Sequence, residues 1–182
     1  ELPPKLAAKK ALVNVKNTDQ QCFKWAVLSA LFPAAKHAQR LSKYVEHEDK
    51  LDWSGLPPAG PVTLDKIALF ERRNNISIHV YGWDDRDKPY LLRKSAEHSA
   101  PQHINLLLLE KGTQSHYCWI KNFSFFARQP SDKNAKHYCR YCLMSFANEE
   151  KLQRHQSLGC AEITETLPEM PKPEDAFVEF KN

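Results

Sequence analysis

The chain has 182 residues and a mass of 21.0 kDa, of which 42% are hydrophobic and 26% charged. That is enough for one domain with a sizeable core plus a small appendage, and it excludes disordered, collagen-like and coiled-coil chains. No run approaches the roughly 20 apolar residues that span a bilayer, and the net charge of +4 divides into −4 over 161–182 and +8 before it.

From the amino end, residues 1–16 are rich in Lys, Ala and Pro and read as a lead-in. The chain opens on Glu1 with no charged region followed by an apolar one, so it reads as a fragment or processed piece without a secretory signal. From Asp19 a loop is expected to run into a helix, because Phe23, Ala26, Val27, Ala30 and Leu31 recur at helical spacing and Pro33 ends the pattern. His37 to Tyr44 suggests a second short helix. Leu51 to Pro61 holds three Pro and two Gly in eleven residues and is expected to be irregular. Thr63 introduces a helix over Leu64 to Arg73, closed by Asn74 and Asn75. Ile76 to Tyr81 alternates as a strand does, Asp84 to Lys88 forms a charged turn, and Tyr90 to Leu92 starts another short strand. Ile104 to Glu110 and His116 to Lys121 are expected to form an antiparallel hairpin. A polar connector over 129–136 then leads to a small separate module over 137–160, and 161–182 reads as an acidic, Pro-containing linker.

The five cysteines are Cys22, Cys118, Cys139, Cys142 and Cys160. An odd number, with a Cys-x-x-Cys pair, argues against a disulfide scaffold and for a reducing, intracellular setting in cytoplasm or nucleus. Cys22 falls on the first turn of the apolar helix, where the helix dipole favours a thiolate and free N–H groups can hold an oxyanion. His116 opens the second arm of the hairpin, where an imidazole can reach a neighbouring helix start and act as base and acid. Taken singly, each also fits a bland role: Cys22 as a packed small hydrophobe, His116 as a satisfied strand residue.

Asp19-Gln20-Gln21-Cys22-Phe23-Lys24-Trp25-Ala26 resembles the catalytic-cysteine motif of the ovarian-tumour (OTU) cysteine proteases, usually Asp-Gly-Asn-Cys-Leu-Phe-Arg-Ala. Thr63 to Tyr81 is similar to that family's middle helix and strand, and Ile104-Asn105-Leu106-Leu107-Leu108 followed by His116-Tyr117 to its closing strand, turn and histidine. The resemblance covers residues 14–125, with the domain itself set at 17–128, and implies an α+β, papain-like fold and removal of ubiquitin or a ubiquitin-like modifier. Carried over, Cys22 is the nucleophile, His116 the general base and acid, and Asp19, with Gln21, supports the oxyanion loop. Two departures stand out. Gln20-Gln21 replaces Gly-Asn, and Cys118 stands where the family often has Asn or Asp two residues after the histidine. Asn122 has the right parity, but six residues of strand put it about 20 Å away, so the third catalytic member is left unassigned.

In the last module Cys139, Cys142, His155 and Cys160 follow the spacing Cys-x2-Cys-x12-His-x4-Cys, with Phe146 and Leu152 in the two core slots of a ββα finger. Four N/S ligands at this spacing predict one structural zinc in a closed tetrahedral site. On the usual docking geometry Asn148, Lys151 and Arg154 are the helix positions that meet DNA. One finger reads about three base pairs, so a structural or partner-binding role is equally in view.

The chain also resembles the segment preceding the exonuclease of protein-primed family B DNA polymerases of Maverick/Polinton-type transposons and related viruses. The Cys-x-x-x-Ala helix of Cys22 and Ala26, Asn74-Asn75-Ile76-Ser77-Ile78, His103-Ile104-Asn105-Leu106-Leu107, His116 to Asn122, the finger, Met170-Pro171 and Phe180-Lys181-Asn182 carry that likeness. The expectations are therefore a ubiquitin-directed thiol protease with a zinc finger behind it, a non-catalytic domain that holds DNA near a polymerase, or a protease that processes polyproteins.

Overall fold

The computed structural model describes residues 2–160 except 59, 113, 130, 131 and 133. The segment read as a linker, 161–182, lies outside the described residues. The architecture is α+β, built on a mixed five-stranded sheet and ending in a small two-stranded finger. The sheet order is β1 (Leu12–Val13), β5 (Gln114–Ile120), β4 (Gln102–Lys111), β2 (Ile76–Trp83), β3 (Pro89–Arg93). Only the β2–β4 pair is parallel; the β4–β5 hairpin pairs Leu109 with His116 and Leu107 with Cys118. Among the described residues no helix is long and apolar enough to cross a membrane.

One face of the sheet is covered by α2 (Cys22–Leu31) and α3 (Leu64–Asn74). Phe23, Ala26 and Val27 of α2 and Ile67 and Phe70 of α3 pack on Ile78, Val80, Leu106 and Tyr117. Phe23 sits edge-on to both Phe70 and Tyr117, with ring centroids 5.5 and 5.2 Å apart. Asn75 ends α3 in the left-handed conformation, φ 52°, as an asparagine at that position can.

The second face departs from expectation. Strict alternation in Ile76–Tyr81 suggests one solvated face, yet β2 is buried on both. Tyr81 lies against α4 (Phe123–Ala127) and, with His79, against the finger, while the buried Ser77 bonds His103 of β4 at 2.9 Å. The Tyr81 hydroxyl donates to the carbonyl of Arg140 at 2.6 Å, and the His79 ring meets that of Tyr141 at 5.1 Å. Leu143 joins the apolar cluster around Leu107, Cys118 and Phe126. The module over 137–160 is thus docked onto the body rather than separate from it.

Residues 2–16, read as a lead-in, also belong to the body. Helix α1 (Pro4–Ala8) buries Leu6 completely, Ala11, Val13 and Val15 are core, and β1 adds an edge to the sheet. The helix expected over His37 to Tyr44 is replaced by two 3-10 turns, Leu41–Lys43 and Val45–Lys50. His37, with φ 57°, breaks the helical path at its first residue.

A buried ion pair ties α3, β2 and β3 together. Glu71, 1% exposed, accepts from the Ile78 amide at 2.6 Å and from both Arg93 guanidinium nitrogens at 3.1 and 2.6 Å. Arg93 also donates to the Ile78 carbonyl at 2.8 Å. Removing one side of such a pair leaves a buried charge without compensation. Glu71→Ala is expected to cost about 3–5 kcal/mol in urea unfolding; a loss under about 1 kcal/mol, the value of an exposed pair, would contradict the role given to it.

Candidate active site and metal centre

Cys22 is the first residue of α2 and 7% exposed. The loop before it is pinned by Asp19. One carboxylate oxygen accepts from the Gln21 amide at 3.0 Å and the Asn17 side chain at 2.7 Å; the other accepts from the Trp25 indole at 2.7 Å. These bonds hold the Asp19 carboxyl below its usual range against the opposing effect of burial. Gln20 stands where the OTU motif has Gly and adopts the left-handed conformation, φ 56°, that Gly takes without strain. No side chain caps α2, so its first-turn N–H groups remain available to a developing oxyanion. The Gln21 side chain turns away and donates to the Pro58 carbonyl at 3.2 Å.

The Cys22 sulfur lies against the backbone on both sides of His116. Its S–H points to the Ser115 carbonyl at 3.9 Å, and the ring of Tyr117 packs on the neighbouring Phe23. His116 Nε2 lies 2.8 Å from the side-chain oxygen of Asn14, the residue that follows β1. That oxygen is an acceptor, so Nε2 carries the proton and Nδ1 keeps its lone pair. Asn14 is the partner that sequence reasoning lacked. The β1–β5 register pairs Leu12 with Ile120 and Val13 with Trp119, which carries Asn14 alongside the start of β5. Pairing across strands gives no signal in the sequence around the histidine, and Asn14 lay within the segment read as a lead-in.

The other two candidates fall elsewhere. Cys118 is fully buried, its thiol pushed up to about 12 by loss of solvent, and packs with Tyr81 and Ile120. Asn122 caps α4, accepting from the Phe125 amide at 3.0 Å.

Electrostatics make the resting pair neutral. Burial raises the Cys22 thiol above its ordinary value, outweighing the nearby backbone bonds, and burial lowers His116 below the usual imidazole value. The thiolate expected from the helix dipole is therefore not the resting form. A neutral imidazole is the form that can accept a proton.

At the far end, the ligand atoms of Cys139, Cys142, His155 and Cys160 all lie within 4.8 Å of one another, a group that can hold a metal ion. The sulfurs of Cys139 and Cys160 are 3.8 Å apart, and the Cys142 sulfur is 3.3 Å from His155 Nε2. A tetrahedral ion with bonds of about 2.3 Å to sulfur would space its ligands by roughly these amounts. The finger hairpin, β6 (His137–Tyr138) and β7 (Ser145–Phe146), and helix α5 (Glu149–His155) frame the cluster over Phe146 and Leu152. Of the positions expected to meet DNA, Asn148 uses its oxygen to cap α5, accepting from the Lys151 amide at 3.0 Å. Lys151 and Arg154 are exposed, but Glu149 and Glu150 occupy the first turn beside Lys151, while Arg154 lies in the last turn.

No protein-family model, curated protein or solved structure matches this chain.

The neutral pair makes a distinct pH signature. Alkylation of Cys22 by iodoacetamide, followed by peptide mapping, should accelerate only as pH passes the ordinary thiol value of about 8.5. Fast, pH-independent alkylation between about pH 5 and 8, as a preformed thiolate–imidazolium pair gives, would contradict it.

Proposed function

We propose that the chain is a papain-like, OTU-like thiol hydrolase that cleaves the bond after the C-terminal glycine of ubiquitin or a ubiquitin-like modifier. The observation that carries the reading is the 2.8 Å contact between His116 Nε2 and Asn14, on a histidine whose flanking backbone holds the Cys22 sulfur. The reading joins to this pair a nucleophile, Cys22, at a helix start without a side-chain cap. In the reaction His116 Nδ1 takes the Cys22 proton, the sulfur attacks the carbonyl, and the oxyanion forms against the first turn of α2. The same imidazole then protonates the leaving amine, and water resolves the thioester. A protease that processes polyproteins would use identical chemistry. The reading as a DNA-holding domain is weaker, because Asn148 is occupied as a cap and two carboxylates share the exposed turn.

Zinc is the ion that the Cys3His set suits, since soft thiolates and one imidazole in a closed tetrahedron favour it. Its proposed role is structural: the ordered knuckle presents Arg140 and Tyr141 to the buried face of the sheet.

On this reading Cys22→Ala abolishes hydrolysis of a ubiquitin–amide substrate, and His116→Ala loses several orders of magnitude. Asn14→Ala should cost on the order of 10²-fold in kcat through misorientation of the imidazole, with little change in KM. An unchanged rate in Cys22→Ala would sink the assignment. For the finger, elemental analysis should find one zinc per chain, lost in Cys139→Ala; retention of metal in that variant at full occupancy would overturn the ligand set.

A further inference from the structure

Four cations gather beside α2, whereas the finger covers the other face of the sheet. Lys16 follows β1, and Lys36, Arg40 and Lys43 follow α2; all four are exposed. A parallel backbone bridge sets Lys16 beside Arg40, with the Lys16 amide donating to the Gln39 carbonyl at 2.9 Å. The Arg40 amide donates to His37 at 2.9 Å and the Lys43 amide to Arg40 at 3.1 Å. Tyr44, fully buried, donates its hydroxyl to the Ala38 carbonyl at 2.7 Å. Ala38 and Leu41 pack with Val15, Trp25 and Leu28. The cations therefore stand on an ordered platform anchored in the core.

The platform's charge is not compensated within the chain. Residues 33–45 hold three Lys or Arg and no Asp or Glu, and residues 2–18 hold four Lys and no acid. Several other surface cations have carboxylate partners: Lys5 has Asp87, Lys24 has Glu48 and Lys136 has Asp132. None of Lys16, Lys36, Arg40 and Lys43 has one among the described residues. Of the acids that follow in the chain, Glu46 pairs with His47 and Glu48 with Lys24, and Asp49 pairs with none of the four. Like charges held together repel one another. A polyanion relieves that repulsion by bringing phosphates to several cations at once, and it gains the entropy of its released counterions. Tyr44 is the one Phe, Tyr or Trp within 33–45, and it is buried, so unpaired bases would find no ring there to stack on. What the platform offers is charge at fixed spacing, which suits the backbone of a duplex.

We propose that this platform binds the phosphate backbone of a nucleic-acid duplex without reading its sequence. The site lies on the body and does not use the finger positions Lys151 and Arg154. Lys16 lies two residues beyond Asn14, so on the hydrolase reading a bound duplex flanks the candidate site; the proposal does not depend on that reading.

The test uses the full, zinc-loaded chain and a fluorescently labelled DNA duplex, with binding followed by anisotropy as salt is raised. Four phosphate contacts predict a log–log salt slope of roughly −3 to −4, a loss of affinity on the order of 10²-fold between about 50 and 200 mM salt. The triple variant Lys36→Gln, Arg40→Gln, Lys43→Gln should reduce the size of that slope by about three, and Lys16→Gln by about one. The single variant serves if the triple one does not fold by thermal melting. Lys151→Ala with Arg154→Ala should leave the slope unchanged. No binding at about 100 µM chain in 50 mM salt, where non-specific duplex binding is detectable, overturns the proposal. So does a slope that survives in a folded platform variant, or one that is lost in the finger variant. Tighter binding at equal salt to single-stranded DNA, to phosphatidylserine vesicles or to polyglutamate than to the duplex overturns it as well.

Discussion

The pairing of β1 with β5 is the constraint on which the candidate site depends. Two residues of strand, Leu12 and Val13, dock along Ile120 and Trp119 and thereby bring Asn14 to the imidazole of His116. The other edge of β5 is fixed by its hairpin with β4, and its far face by α2, whose Phe23 packs on Tyr117. The histidine is thus held from both neighbouring strands, and Cys22 starts the helix that packs on β5. The ladder itself is short, so its strength comes from burial: Leu6, Ala11, Val13 and Val15 anchor the segment on either side of Asn14. Evolutionary or engineered changes at these core positions would act on the site through geometry, without touching any reacting group.

The finger solves a different problem. A mixed sheet with one strand buried on both faces needs a cover on each, and α4 alone is five residues long. The knuckle at Arg140 to Leu143 supplies the remainder, accepting the Tyr81 hydroxyl and lying against His79. His79 is fully buried and neutral, its pKa driven down to about 2 by burial; Nδ1 accepts from the Ser95 amide at 3.1 Å while Nε2 has no partner among the described residues. Its ring stands edge-on to those of His103 of the body and Tyr141 of the finger, 4.4 and 5.1 Å away. The finger and the body thus share a packed, hydrogen-bonded contact.

Much of this was legible in the residues. The helix after Cys22, the helix and strand from Leu64 to Trp83 and the β4–β5 hairpin follow from apolar periodicity and turn chemistry, and the four metal ligands from their spacing. Three features were not. Asn14 depends on a cross-strand register, which local pattern does not encode. The cover over His79 and Tyr81 includes a module some sixty residues away in the chain, and period-two alternation reads the same whether water or a finger covers the face. The third is the environment of the Cys22 thiol: burial of the helix start raises it, working against the helix dipole.

The most direct measurement is intact-mass analysis, with peptide mapping, of the chain treated with ubiquitin bearing a C-terminal propargylamide. A thiol hydrolase built from Cys22, His116 and Asn14 predicts one covalent adduct, located at Cys22, absent in Cys22→Ala and strongly slowed in His116→Ala. No adduct, or an adduct on Cys118 or a finger cysteine that persists in Cys22→Ala, would contradict it.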